Sequence, residues 1–222
     1  VFASAGSAVS LTGSAANGRS GAPNRALALA GSGGGAIALA RGSSFRLVSG
    51  SIAYNESAAL GGGVCAENGS SVIMSGGSIA ANAASLRGGG VYAEGSVTVE
   101  SSGSSLAVIG GKDLADGNTA SLGGGVYVAP GGSLTIGGRS EIWCNAADAL
   151  GGGVYVASGG TLDHAGAGEA AIAYNKAGKL AGGVFLAERA IRVGPASWAA
   201  SIQSNATVID ATASDILPDL AR

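Results

Sequence analysis

Few residues in this chain could do chemistry. The sole histidine, His164, lies in Thr161-Leu162-Asp163-His164, and the only cysteines are Cys65 and Cys144. A Ser/His/Asp triad needs the imidazole in contact with both a nucleophile and an orienting acid. Asp163 is the wrong acid, because adjacent residues of a strand face opposite sides. His164 is therefore expected to be a structural core residue, beneath Ile136 and above Val193. A single His cannot make a His-rich metal site, and neither cysteine has a CxxC partner. Glu67, Glu94 and Glu188 each follow a short apolar segment. Glu67 and Glu94 are expected to stack at a corner as a like-charge surface pair, or as a weak cation site. They do not form the two carboxylates, about 5–9.5 Å apart, that glycoside hydrolysis requires. No catalytic, cofactor-binding or metal-binding residue is assigned, no cofactor is called for, and the chain is not expected to be an enzyme.

Composition narrows the partners. Twelve basic residues stand against fourteen acidic ones in 222, with no Lys/Arg block. That leaves no electrostatic footprint for nucleic acid. No uninterrupted apolar run reaches the roughly 18 residues of a membrane-spanning helix. The 42 glycines come with only four prolines and no Gly-X-Y period, which excludes collagen. Mean hydropathy of +0.37 argues against a solvated disordered chain. The start, Val1-Phe2-Ala3, lacks Met and a basic leader and reads as internal or processed.

The elements that must position any site are set by a repeat. Gly triplets open at Gly33, Gly61, Gly88, Gly123 and Gly151, with a sixth copy at Ala181-Gly182-Gly183. The spacing is 27–30 residues, except for one step of 35. Three short β-branched segments recur in each copy. One follows the glycines (Val126-Tyr127-Val128), and one alternates (Val72/Met74, Leu134/Ile136, Leu162/His164, Ile191/Val193). The third precedes an Asn (Ile52-x-x-Asn55, Ile79-x-x-Asn82, Ile142-x-x-Asn145). Such segments bounded by turn formers are strands, and none leaves room for a crossover helix.

Each strand must then pair with its counterpart one repeat away. The predicted fold is all-β: a right-handed, single-stranded parallel β-helix with three short strands per coil and coils about 4.8 Å apart. Residues 33–205 make the helix, 1–32 an irregular N-terminal coil or cap, and 206–222 a tail or partial cap.

Stacked coils put like residues on like. Asn55, Asn82, Asn145, Asn175 and Asn205 are expected to form an internal ladder at one corner. Asn118 joins it in the irregular coil, with Ala115 in the Ile slot. The glycines mark corners that need φ > 0 or close backbone approach. Cys65 and Cys144 fall two coils apart, about 9.6 Å, beyond the roughly 4.4–6.8 Å of a disulfide, so no bridge is expected. With Val126 and Val128 inward, Tyr127 points outward, and Tyr92, Tyr155 and Phe185 follow it. They form an outward aromatic stripe, either structural stacking or a partner-binding surface. The long coil carries an insertion at 100–117 with Glu100, Lys112, Asp113 and Asp116, and solenoid insertions often sit on the binding face.

The half-repeat Gly76-Gly77-Ser78-Ile79 followed by Asn82 resembles the GGAI and FxxN repeats of chlamydial polymorphic outer membrane proteins, with Ile where that family commonly has Phe. The GGGVYV segments at Gly123 and Gly151 look like related bacterial adhesin-like β-helix repeats. The resemblance covers about residues 33–205 and implies an excised or processed autotransporter passenger, extracellular or outer-membrane-associated. The expected function is a non-catalytic surface segment that binds a protein or glycan of a host, a neighbouring cell or a matrix. Self-assembly into a surface layer or filament from copies of itself is a second expectation, and a polysaccharide-active β-helix enzyme a third.

Overall fold

Short strands flanked by glycines cannot bury an apolar face alone, and here they do so by stacking. A computed structural model describes residues 1–15, 18, 21–26, 33–165, 169–194, 202–207 and 216–218. These wind into a parallel β-helix whose strands form four sheets, one of eight strands and three of seven. Every strand in the stack pairs in parallel with its counterpart in the next coil, as Val91↔Val126↔Val154↔Val184 do in the first sheet.

The coil has four strands, not the expected three. In one coil these are β1 (Val126–Val128), β2 (Ser133–Gly138), β3 (Ser140–Trp143) and β4 (Ala146–Leu150). The additional strand follows the Asn corner, at Asn55–Ser57 and Ala83–Ala84 in earlier coils. It escaped the sequence pattern because it is short and rich in Ala and Ser, so it lacks the β-branched residues that mark the others.

The core is a set of columns. Ile52, Ile79, Ile109, Ile142, Ile172 and Ile202 stack in register in the third sheet. Phe45/Leu47, Val72/Met74, Val97/Val99 and Leu134/Ile136 stack in the second. All are buried, and each large side chain so enclosed stabilises the fold by roughly 1.5–3 kcal/mol. Strands at Phe2–Ala3, Ala8–Leu11, Ser14–Ala15 and Asn24–Ala26 pair with the coil that follows, so residues before Gly33 also contribute a coil. At the other end Ile216–Pro218 pairs with Val184–Leu186.

Two register expectations are corrected. Ile109, not Ala115, occupies the Ile slot of the long coil. Near the C-terminus, Thr161↔Ile191, Leu162↔Arg192 and Asp163↔Val193 are the partners, so Val193 does not underlie His164. Turn length decides this. Five positions separate Val156 from Thr161 and Leu186 from Ile191, and equivalent turn bonds close both, Gly160 N–H to Ala157 O at 2.8 Å and Ala190 N–H to Ala187 O at 2.9 Å. Ile191 and Val193 therefore lie exposed on the outer face. His164 is buried on the inner face, partnered in register with Ile136.

The Gly triplet has a different reason at each position. Gly123 takes φ of +63°, the left-handed conformation, whereas Ala181 holds the equivalent place in the sixth copy at +54°. Gly124 has no room: a β-carbon there would collide with the Ala146 carbonyl and lie 2.6 Å from that of Gly152.

Candidate ligand-binding trough

The Asn ladder is present and longer than expected. Asn145 Nδ2 donates to Asn175 Oδ1 at 3.0 Å and to the Ile109 carbonyl at 2.9 Å. Its Oδ1 accepts from Asn118 Nδ2 at 2.9 Å and Asn118 N–H at 3.1 Å. Asn55, Asn82, Asn175 and Asn205 extend the column in both directions. Asn24 adds a seventh rung by donating to Asn55 at 2.8 Å. The ladder is structural, since both polar ends of each interior amide are used in a buried corner.

The aromatic stripe is continuous but does not form an exposed surface. Ring centroids of Tyr92, Tyr127, Tyr155 and Phe185 follow one another at 5.6, 4.9 and 5.1 Å, nearly parallel. Tyr92 and Tyr127 are only 5% exposed and belong to a second small core with Cys65, Ala129 and Ala157. The residues just before the Gly triplets cover them. Leu60, Arg87 and Leu122 bridge coil to coil, with Leu60 and Leu122 packed on this cluster. The Arg87 guanidinium sits 5.2 Å from the Tyr127 ring centre, a cation–π contact. The Tyr92 hydroxyl donates to Glu94 at 3.0 Å. Burial raises the Tyr92 and Tyr127 phenols above their ordinary range and pushes the Cys65 thiol up to about 12. Strand alternation correctly placed these rings outside the main core. It could not show that a neighbouring corner folds over them, although the Leu or Arg that recurs before the triplets at Gly61, Gly88, Gly123 and Gly151 was the available signal.

The coil from Val91 to Val126 is longer than the coils on either side of it, and its extra residues fall in two places. Residues 102–106 stand where the next coil has only Arg139, between the pairs Ser101↔Gly138 and Ala107↔Ser140. Residues 111–117 stand where it has only Cys144, between Gly110↔Trp143 and the Asn118–Asn145 rung. The two bulges lie at opposite ends of the strand Ala107–Gly110 in the third sheet.

Both bulges are tied down. Ser101 Oγ donates to the Ser105 carbonyl at 2.9 Å. In the second bulge, Asp113 Oδ1 accepts from the N–H groups of Ala115 and Asp116 at 2.8 and 3.2 Å. Its ends are held by Ala81 N–H to Asp116 O at 2.8 Å and Gly111 N–H to Trp143 O at 3.2 Å.

Between them the flat outer face becomes a trough of about 610 Å³. Small residues (Ser78, Ala80, Val108 and Gly110) make its floor, while Leu106, Tyr54, Trp143 and the Lys112–Asp116 loop make its walls, with Glu141 also lining it. A second concavity of about 540 Å³ lies across the same loop and shares Lys112 and Trp143, adding Leu114, Tyr174 and Lys176. Trp143 and Tyr174 meet at 4.5 Å with planes tilted by 41°. Tyr54, Leu106, Leu114 and Tyr174 are each 36–48% exposed, which concentrates apolar surface around one loop.

Backbone strain coincides with this site. The residue before five of the seven ladder Asn is left-handed without being Gly: Tyr54, Ala81, Cys144, Tyr174 and Ser204 have φ of 51–56°. For a bulky side chain that conformation costs about 1–2 kcal/mol. Two tyrosines occupy the slot where Gly or Asn would be easiest. Of the residues singled out from sequence, the structure brings Lys112, Asp113 and Asp116 to this site, while Glu100 lies in β-pairing with Gly137. Tyr54, Trp143 and Tyr174 were missed, because their separation in sequence hid their convergence.

Glu67 and Glu94 follow strands that pair at Ala66↔Ala93, and they lie one coil apart outside the trough. Cys65 and Cys144 are free and buried. Among the described residues, no group of three or more His, Cys, Asp or Glu could hold a metal ion, and no helix is long and apolar enough to cross a membrane. No protein-family model matches the chain, nor does any curated protein or solved structure.

Proposed function

We propose that this chain is a non-catalytic binding segment of an extracellular or outer-membrane-associated surface protein, of the adhesin or autotransporter-passenger kind. Its partner is a protein or glycan of another cell or matrix. One observation carries the reading: a 35-residue coil, set between neighbours of 27 and 28 residues, spends its extra residues on two pinned bulges that frame an apolar trough. A scaffold needs no such irregularity, and a pre-formed concavity of several hundred Å³ with a few polar groups is the usual form of a binding site. The resemblance of the repeats to adhesin-like β-helices supports the location and the class.

The test is binding of the intact chain to immobilised glycans, host-cell surfaces and matrix proteins, with Leu106→Ser and Leu114→Ser beside it. Both leucines are exposed, so these variants should stay folded. Saturable binding that weakens in the variants supports the reading, and binding to none of these surfaces refutes it.

A second reading has one observation in its favour. Asp116 and Glu141 both line the trough, so it holds two carboxylates as a glycosidase cleft does. A reducing-sugar and unsaturated-product assay separates the two. Turnover that disappears in Asp116→Asn or Glu141→Gln would establish the enzyme.

A further inference from the structure

We infer that the trough and its companion concavity take a neutral oligosaccharide, its ring faces laid on Trp143 and Tyr174 and its hydroxyls met by Lys112, Asp116 and Glu141. This rests on the binding function proposed above and names its ligand.

Four features select this occupant. First, the floor is the face of a sheet whose backbone groups are already paired along the stack, so an added peptide strand finds no edge to extend. Second, Trp143 and Tyr174 pack against each other at 4.5 Å with planes tilted by 41°, and both line the companion concavity. Aromatic faces carry partial negative charge and attract the polarised C–H groups on the flat side of a pyranose. Third, the polar groups are of both signs: Lys112 against Asp116 and Glu141 in the trough, and Lys112 and Lys176 against Asp113 beyond the loop. Mixed donors and acceptors suit hydroxyl groups, and the absence of a net basic field gives a polyuronate or sulfated chain nothing to neutralise it. Fourth, the corner slot that holds Ala81, Cys144 and Ser204 in other coils holds rings at Tyr54 and Tyr174, which line the trough and its companion.

The strain supplies a variant that separates folding from binding. Tyr174→Gly removes the ring while placing at φ +56° the one residue that adopts it without steric cost. Its unfolding temperature should stay within a few degrees of the parent. Isothermal titration would use cellohexaose, chitohexaose, laminarihexaose and mannohexaose, with polygalacturonate and heparin as the charged probes.

At least one neutral hexaose should bind. Tyr174→Gly should weaken that binding about fivefold and Trp143→Ala about tenfold or more, the scale of one lost aromatic contact. Trp143→Phe should retain most of it. Unchanged affinity in folded Tyr174→Gly and Trp143→Ala would overturn the inference, as would polygalacturonate or heparin binding as tightly as the neutral chains. If the parent binds a surface protein through the leucine-lined walls but none of the hexaoses, the inference fails while the binding function stands. Binding to no surface and no saccharide would remove both.

Discussion

Removing the Asn145 amide should be among the most damaging single changes in this protein. Its side chain makes four hydrogen bonds, two donated to Asn175 and Ile109 and two accepted from Asn118. Asn145→Ala leaves the Asn118 N–H and the Ile109 carbonyl without those partners in a corner that is fully buried. At ~1–3 kcal/mol for each stranded group, with two weaker losses beside them, the expected cost is about 4 kcal/mol. Asn24 is the control: it is exposed and makes one ladder bond, so Asn24→Ala should cost less than about 1 kcal/mol. Asn145→Asp adds a pH signature. An ionised carboxylate can only accept, and it would face the Ile109 and Asn175 oxygens. Burial and those oxygens raise its folded pKa above the ordinary value of about 3.9. Stability of the Asp variant is therefore greatest below about pH 4 and is lost as pH rises through the raised folded value. Urea unfolding followed by circular dichroism at pH 3 and 7 measures both effects. Hydrogen exchange across residues 118–145 would detect a coil opening by itself, as solenoids can. Equal midpoints for Asn145→Ala and Asn24→Ala, or an Asp variant insensitive to pH, would refute the account of the ladder.

Three further outcomes follow from the packing. Gly124→Val should lower the unfolding temperature far more than Ser133→Val, because a β-carbon at 124 meets backbone oxygen whereas Ser133 is half-exposed; the overpacking penalty sits at or above the top of ~1–3 kcal/mol, and equal midpoints would contradict it. Tyr127→Ala should cost about 3 kcal/mol by analogy with other buried aromatic truncations, with Tyr127→Phe nearly neutral, and absorbance titration should find the Tyr92 and Tyr127 phenols ionising above the ordinary range. Because those folded values are raised, their contribution is present below about pH 10 and is lost as pH rises beyond it. In Cys144→Ser, the remaining Cys65 thiol should resist disulfide-exchange reagents at pH 8 until the chain is unfolded, since burial holds its pKa at about 12; rapid reaction of the native protein would show the second small core to be open.

The stack, its inward columns and the Asn ladder were legible in the sequence because a solenoid repeats one local solution. Ile79, Ile142 and Ile172 recur at a fixed distance before an Asn, and periodicity alone puts them on one column. Turn length, equally readable but outweighed by the apolar pattern, set the true partners of Ile191 and Val193. What only the tertiary structure decided lies across coils. The covering of Tyr92 and Tyr127 depends on Leu60, Arg87 and Leu122 folding back from an adjacent corner. The trough and its companion depend on two separate bulges rising at the ends of one strand and on Tyr54, Trp143 and Tyr174 lining the concavities beside them. A repeat specifies which residues stack along the axis, because that relation is a constant offset in the chain. Which residues meet around the circumference depends on how each corner bends, and the sequence carries no comparable period for that.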